Sequence, residues 1–112
     1  MPITVIYNDD TVVKYDNFDK ITNNMNVIKI DCSDNNLTSL PPNMNMMFPN
    51  LTLFNCSYNK LKSLPPNMMF PNLEEFYCYN NNLYYIPPHI NCYIGKDEKT
   101  KSPEYMRRKL LI

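Results

Sequence analysis

The sequence predicts a repeat stack of the α/β class, mostly β. It is a solenoid with a short parallel sheet of three full repeats and a truncated last turn, an N-terminal β-hairpin cap and a short C-terminal helix. Three observations predict it. One apolar pattern recurs three times in register. Each copy ends in two consecutive prolines. The first twenty residues follow a different, hairpin-like pattern. The chain divides accordingly into a cap at 1–25, repeats at 26–94 and a basic tail at 95–112.

Residues 3–7 and 11–15 are rich in β-branched residues and tyrosine, with Asn8-Asp9-Asp10 as a polar turn between them. That pattern reads as a hairpin. A repeat stack exposes an apolar end unless something covers it. The hairpin with Phe18 and Ile21 is the expected cover.

The first repeat places Val27, Ile30, Cys32, Asn35, Leu37 and Leu40 ahead of Pro41-Pro42. The second places Leu51, Phe54, Cys56, Asn59, Leu61 and Leu64 ahead of Pro65-Pro66. The third places Leu73, Phe76, Cys78, Asn81, Leu83 and Ile86 ahead of Pro87-Pro88. The copies are 24 and 22 residues apart. A fixed period of that length means stacked supersecondary units sharing one core. In each unit a short strand runs up to the Cys, with inward and outward residues alternating. The Asn marks a bend, and the proline pair favours an extended or polyproline-II return. Two extra residues in the first linker, 41–50 against 65–72, account for the unequal periods. Met44, Met46, Met47, Met68 and Met69 read as adaptable filler on the irregular side of the core.

After Ile86 the pattern breaks. Residues 90–94 form a short alternating strand candidate, with Cys92 only 14 residues after Cys78. This is the truncated turn. Ser102 and Pro103 then suit a helix start, as N-cap and first helical residue. The short helix that follows must pack on the end of the stack to be stable.

These residues carry a resemblance. The pattern L-x-x-L-x-[LC]-x-x-N-x-L, met three times over residues 27–86, resembles the core signature of leucine-rich repeats. The phrases DNFDKITN, IDCSDNNLTSLPPNM, FPNLTLFNCSYNKLKSLPPNMMFPNLEEFYCYNNNL and IPPHINCYIG are similar to leucine-rich repeat proteins of giant DNA viruses of the mimivirus type. The asparagine-rich, alanine-free composition agrees with such an origin. The resemblance implies a curved solenoid with a parallel sheet on its concave side, and by analogy a protein-binding role. It also implies that the asparagines form a stacked ladder between turns.

Bulk charge excludes little and suggests less. Formal net charge is zero, so no nucleic-acid partner is expected. The charge is unevenly spread: residues 1–94 balance to −3 and residues 95–112 to +3. The tail reads as a capping helix with a charged outer side rather than a membrane or nucleic-acid anchor. No segment approaches the roughly 18–20 apolar residues that span a bilayer, and no basic leader opens the chain. The expected location is the host cytoplasm or virus factory, without secretion or membrane attachment. The Asn36-Leu37-Thr38 and Asn50-Leu51-Thr52 glycosylation patterns are discounted on that ground.

No catalytic constellation is legible, and no cofactor or metal is expected. Cys32, Cys56 and Cys78 share one repeat position, so they stack in a column, whereas zinc needs a convergent tetrahedron. They read as buried thiols behaving as small apolar groups. His89 and Cys92 lack the orienting group that a nucleophilic dyad requires. Asn35, Asn59 and Asn81 read as satisfiers of backbone groups at the bends.

Alternation leaves Lys29, Asp31, Ser33 and Asp34 outward in repeat one. Repeat two offers Leu53, Asn55, Ser57 and Tyr58, and repeat three Glu75, Tyr77, Tyr79 and Asn80. Tyrosine, with an apolar body and a polar tip, suits interfaces. The candidate partner-binding face is therefore Asp31, Asn55, Tyr58, Tyr77 and Tyr79. The partner is a protein of unknown identity. Three strands about 4.8 Å apart make a patch of only a couple of hundred Å2, against about 800 Å2 per partner in a standard interface. Self-association through the ends of the stack is the alternative, making the chain a structural or self-assembling viral component.

Overall fold

The computed structural model describes residues 2–65, 68–83 and 93–95. The chain is mostly β with few helices. Its strands form one sheet in the order β2-β1-β3-β4-β5-β6. The strands are β1 (Ile3–Tyr7), β2 (Val12–Tyr15), β3 (Val27–Asp31), β4 (Leu53–Asn55), β5 (Glu75–Tyr77) and β6 (Tyr93–Gly95).

β1 and β2 form the hairpin. Tyr7 N donates to Thr11 O at 2.9 Å and Asp10 N donates to Tyr7 O at 2.9 Å. Asp10 sits at φ 68, the left-handed geometry that closes a three-residue hairpin loop and that Asp tolerates. The Asp9 carboxylate accepts from Thr11 N at 3.0 Å. The hairpin does more than cover an end. β1 also pairs antiparallel with β3, from Thr4 opposite Asp31 to Tyr7 opposite Val27, with a bulge at Ile6/Tyr7. Cap and repeats therefore share one sheet. Ile3, Val5 and Tyr7 are buried, and the Tyr7 hydroxyl donates to Thr22 O at 2.8 Å while lying 2.6 Å from the Tyr15 hydroxyl.

The next four strands run parallel. Lys29 lies opposite Leu53, Leu53 opposite Glu75 and Glu75 opposite Tyr93, in steps of 24, 22 and 18 residues. The same register lines up Ile30, Phe54, Phe76 and Ile94. The last strand overlaps the expected segment at 90–94, with Ile94 opposite Phe76 and a shorter step than between the full repeats. Residues 90–92 lie outside the described residues, as do His89 and the C-terminal helix expected from Ser102.

The first return segment also differs from expectation. Met44–Met47 forms one helical turn, α1, in which Met46 N and Met47 N both donate to Asn43 O at 3.0 Å. Proline restricts the residue before it and tolerates a helix after it, so Pro41-Pro42 does not prevent a turn that begins at Asn43. The methionines divide accordingly. Met44 and Met68 are buried and Met47 packs at the core margin, whereas Met46 and Met69 are exposed. Only the first three serve as core filler.

The core lies behind the sheet. It joins Ile3 and Val5 of the hairpin to Val27, Ile30, Phe48, Leu51, Phe54, Leu61 and Phe76. Phe54 stacks on Phe76 at 5.9 Å and 14° and tilts against Phe70 at 6.4 Å. Phe18, held by a short 3-10 turn in which Lys20 N donates to the Asn17 side chain at 3.2 Å, meets Phe48 at 6.5 Å.

Candidate functional site

The outward face of the sheet consists of two rows of side chains. One runs Val12, Ile6, Lys29, Leu53 and Glu75, and the backbone register continues to Tyr93. The other runs Lys14, Thr4, Asp31, Asn55 and Tyr77, and the backbone register continues to Gly95. The hairpin therefore adds Val12, Lys14, Thr4 and Ile6 to a face expected to hold three strands. The signal for this was present in the β-branched alternation at 3–7. What the sequence did not show is that β1 pairs beside β3.

Asp31, Asn55 and Tyr77 occupy equivalent positions on neighbouring strands. The first two serve their own turns. The Asp31 carboxylate accepts from Ser33 N at 3.0 Å, and the Asn55 side-chain carbonyl accepts from Ser57 N at 3.0 Å. A tyrosine cannot accept from the N–H two residues on in this way. In the third repeat that donor, Tyr79 N, goes instead to Ser57 Oγ at 2.9 Å. Ser57 was expected on the exposed face but is buried. Its hydroxyl takes over the turn in the next repeat and frees position 77 for an aromatic ring.

The rings of Tyr77 and Tyr79 then stack at 6.4 Å and 19°. Tyr58 N donates to Tyr79 O at 2.7 Å, so the backbone of Tyr58 adjoins that pair. All five candidate residues thus lie along three adjacent strands and the turns that follow them.

Tyr58 has an unusual backbone. It lies at φ 56, and the matching residues of the other repeats are Asp34 at φ 58 and Asn80 at φ 52. Short polar residues enter the left-handed region readily, whereas for a bulky residue it is an outlier. The Tyr58 side chain is 59% exposed, so core packing does not offset the strain.

The cysteine and asparagine columns lie behind and below this face. Cys32, Cys56 and Cys78 are fully buried thiols, none of them in a disulfide. The Cys32 and Cys56 sulfurs donate to Asn55 O at 3.4 Å and Tyr77 O at 3.5 Å. Burial pushes both of these thiols well above the usual cysteine range, with Asp31 adding to the effect at Cys32. Since the thiolate is the reacting form, native protein treated with a thiol-specific disulfide reagent should leave these cysteines unmodified. Their labelling should follow global unfolding. Labelling of Cys56 at the rate of a free thiol would contradict the register.

Asn59 is buried, and its Oδ1 accepts from Asn35 N at 3.0 Å and Leu37 N at 2.9 Å. Its Nδ2 donates to Cys32 O and Cys56 O, both at 3.0 Å, and to Ser57 O at 3.2 Å. Asn81 repeats the arrangement one step on, from Leu61 N to Cys56 O.

Among the described residues no group of three or more His, Cys, Asp or Glu side chains could hold a metal ion. No helix among them is long and apolar enough to cross a membrane. Comparison of the chain with family models, curated proteins and solved structures finds no match.

Proposed function

We propose that the chain is a small leucine-rich repeat module that binds a protein partner across the exposed face of its sheet, without catalysis, inside a virus-infected cell. The registered parallel strands one repeat apart, the shared asparagine position and the common core column support the solenoid reading. The observation that carries the binding reading is Tyr58. An exposed tyrosine held in a left-handed turn, where the sibling repeats use Asp34 and Asn80, weakens the fold. Contact with a partner gives such a residue a use.

Two consequences follow from that trade. Tyr58→Asn should stabilise the fold by about 1 kcal/mol, by relief of left-handed strain, read as a higher urea midpoint with unchanged slope. The same substitution should lower partner recovery. In affinity capture from infected host cells, the wild-type chain should enrich proteins that a combined Tyr58→Ala, Tyr77→Ala, Tyr79→Ala variant loses. Equal recovery by both would remove the tyrosine face from the proposal.

Six strands about 4.8 Å apart give a face about 24 Å wide. Its strands are short, so the flat area remains well below the roughly 800 Å2 of a standard interface. The partner therefore also engages the turns that carry Tyr58 and Tyr79.

Self-assembly is a second reading with one observation in its favour. β2 is an edge strand, and the backbone groups of Val12 and Lys14 that face away from β1 are available to pair with another strand. Its shortness and the charge of Lys14 work against such pairing. Light scattering that shows a strict monomer at high concentration would dismiss it.

A further inference from the structure

We propose that the Glu75–Tyr77–Tyr79 column accepts an arginine side chain from an extended segment of the partner. The inference rests on the binding-face reading above and names the chemistry of what binds there.

Three features support it. The first is Glu75. It is half-buried on the outward face of β5, and its register neighbours Leu53 and Tyr93 carry no charge. Among the described residues its carboxylate has no ion pair or hydrogen bond, and the ion pair found there is the distant Lys20–Asp16 contact at 3.3 Å. Among the described residues the nearest cation on the same face, Lys29, is two strands away across Leu53, about 10 Å at the usual strand spacing. Lys60 and Lys62 are exposed on the loop beyond Tyr58.

The second is the aromatic strip. Tyr77 and Tyr79 present near-parallel rings 6.4 Å apart, and Glu75 and Tyr77, two apart on β5, are about 6.6 Å apart. Glu75, Tyr77 and Tyr79 thus form a line of carboxylate, ring and ring. A guanidinium is planar, stacks on aromatic faces and pairs bidentately with a carboxylate. An arginine laid over Tyr77 reaches the Glu75 oxygens while its plane covers the ring. Lysine, a compact point charge, gains less from the ring.

The third is charge complementarity. Residues 1–94 balance to −3 and the full chain to zero, so a cationic segment is favoured by the local charge at the site rather than by the field of the whole chain.

The experiment is a nuclear magnetic resonance titration of the labelled chain with three short peptides. They are identical except for one central residue, which is arginine, lysine or its neutral isostere citrulline. The arginine peptide should shift the amide signals of Glu75, Tyr77 and Tyr79 and bind about tenfold more tightly than the citrulline peptide, a difference readily resolved in Kd. Lysine should fall between them. Glu75→Gln should abolish the preference for arginine while leaving the citrulline peptide unaffected. Tyr77→Phe, which keeps the ring, should retain arginine binding that Tyr77→Leu loses, and the unperturbed spectrum of each variant reports its fold.

Equal binding of arginine and citrulline peptides, no binding of the arginine peptide, or an arginine preference that survives Glu75→Gln would each overturn the assignment. If the peptides bind equally and Tyr77→Leu releases both, the binding face stands and the arginine assignment falls. If captured partners survive the triple tyrosine change, the face itself falls.

Discussion

Replacing Asn59 with alanine should destabilise the fold by about 3–5 kcal/mol, because it breaks a buried hydrogen-bond network rather than a single bond. The side chain has both acceptor and donor capacity, and both are used. It serves two N–H groups of the preceding turn, those of Asn35 and Leu37, and three carbonyls spread over two repeats. Alanine leaves the N–H groups of Asn35 and Leu37 without their acceptor, while the three carbonyls keep Asn35 Nδ2, Asn81 Nδ2 and Asp34 N as donors. A buried polar group left unsatisfied costs roughly 1–3 kcal/mol, and water admitted by the smaller side chain recovers part of the sum. A domain of this size has about 5–15 kcal/mol of net stability, so the variant should unfold well below the wild-type urea midpoint.

The equivalent residue Asn35 provides the control. It donates to Ser33 O at 2.9 Å and Cys32 O at 3.1 Å, and more weakly to Pro2 O at 3.4 Å. It lies at the partly exposed end of the column, where water replaces what alanine removes. Urea unfolding of both variants should therefore rank Asn59→Ala far above Asn35→Ala. Equal losses would show that the column is not a ladder linking one turn to the next.

The parts of this fold written in the sequence are those set by spacing. Ile30, Phe54 and Phe76 recur at a fixed offset, and the structure lines them up. Asn59 was legible because an amide at a sharp bend has an evident use. What was not legible depended on pairing across distance. Nothing in residues 3–7 says that β1 pairs with β3 rather than folding over the end of the stack, since a β-branched strand satisfies either arrangement. Alternation at 90–94 marks a last strand but not its register, and the ladder matches Ile94 to Phe76. Met46 and Met47 looked like core by composition, but a helical turn sends Met46 outward.

The candidate face shows the same division. Alternation found Asp31, Asn55 and Tyr77, which lie on strands. It failed at Ser57, which sits just past its strand where alternation no longer applies. That failure matters to the site, because the buried Ser57 hydroxyl is what holds the Tyr79 turn. The strain at Tyr58 had no sequence signal in its own repeat. It emerges only when the three turns are superposed and two of them hold Asp and Asn.

Phe54→Ala should cost about 3–5 kcal/mol, the usual range for removing a buried phenylalanine. Its ring lies in the middle of the repeats, stacked on Phe76 from the next strand and tilted against Phe70 from the return segment. Neither neighbour has an easy way to fill the space. Phe76 is anchored by the pairing of β4 with β5, and Phe70 by Leu73 N donating to its carbonyl at 3.2 Å. The cavity therefore persists, and cavity volume adds to the lost transfer energy. Phe54→Leu, which keeps much of the apolar volume, should recover more than half of the loss. The neighbouring substitution Asn55→Ala should cost far less, because Asn55 is half-exposed on the opposite face and serves one turn N–H. This contrast between adjacent residues tests the register directly. A one-residue slip would exchange the two effects and turn Tyr77, in register with Asn55, inward, so thermal unfolding of this pair also decides which face of the sheet carries Tyr77.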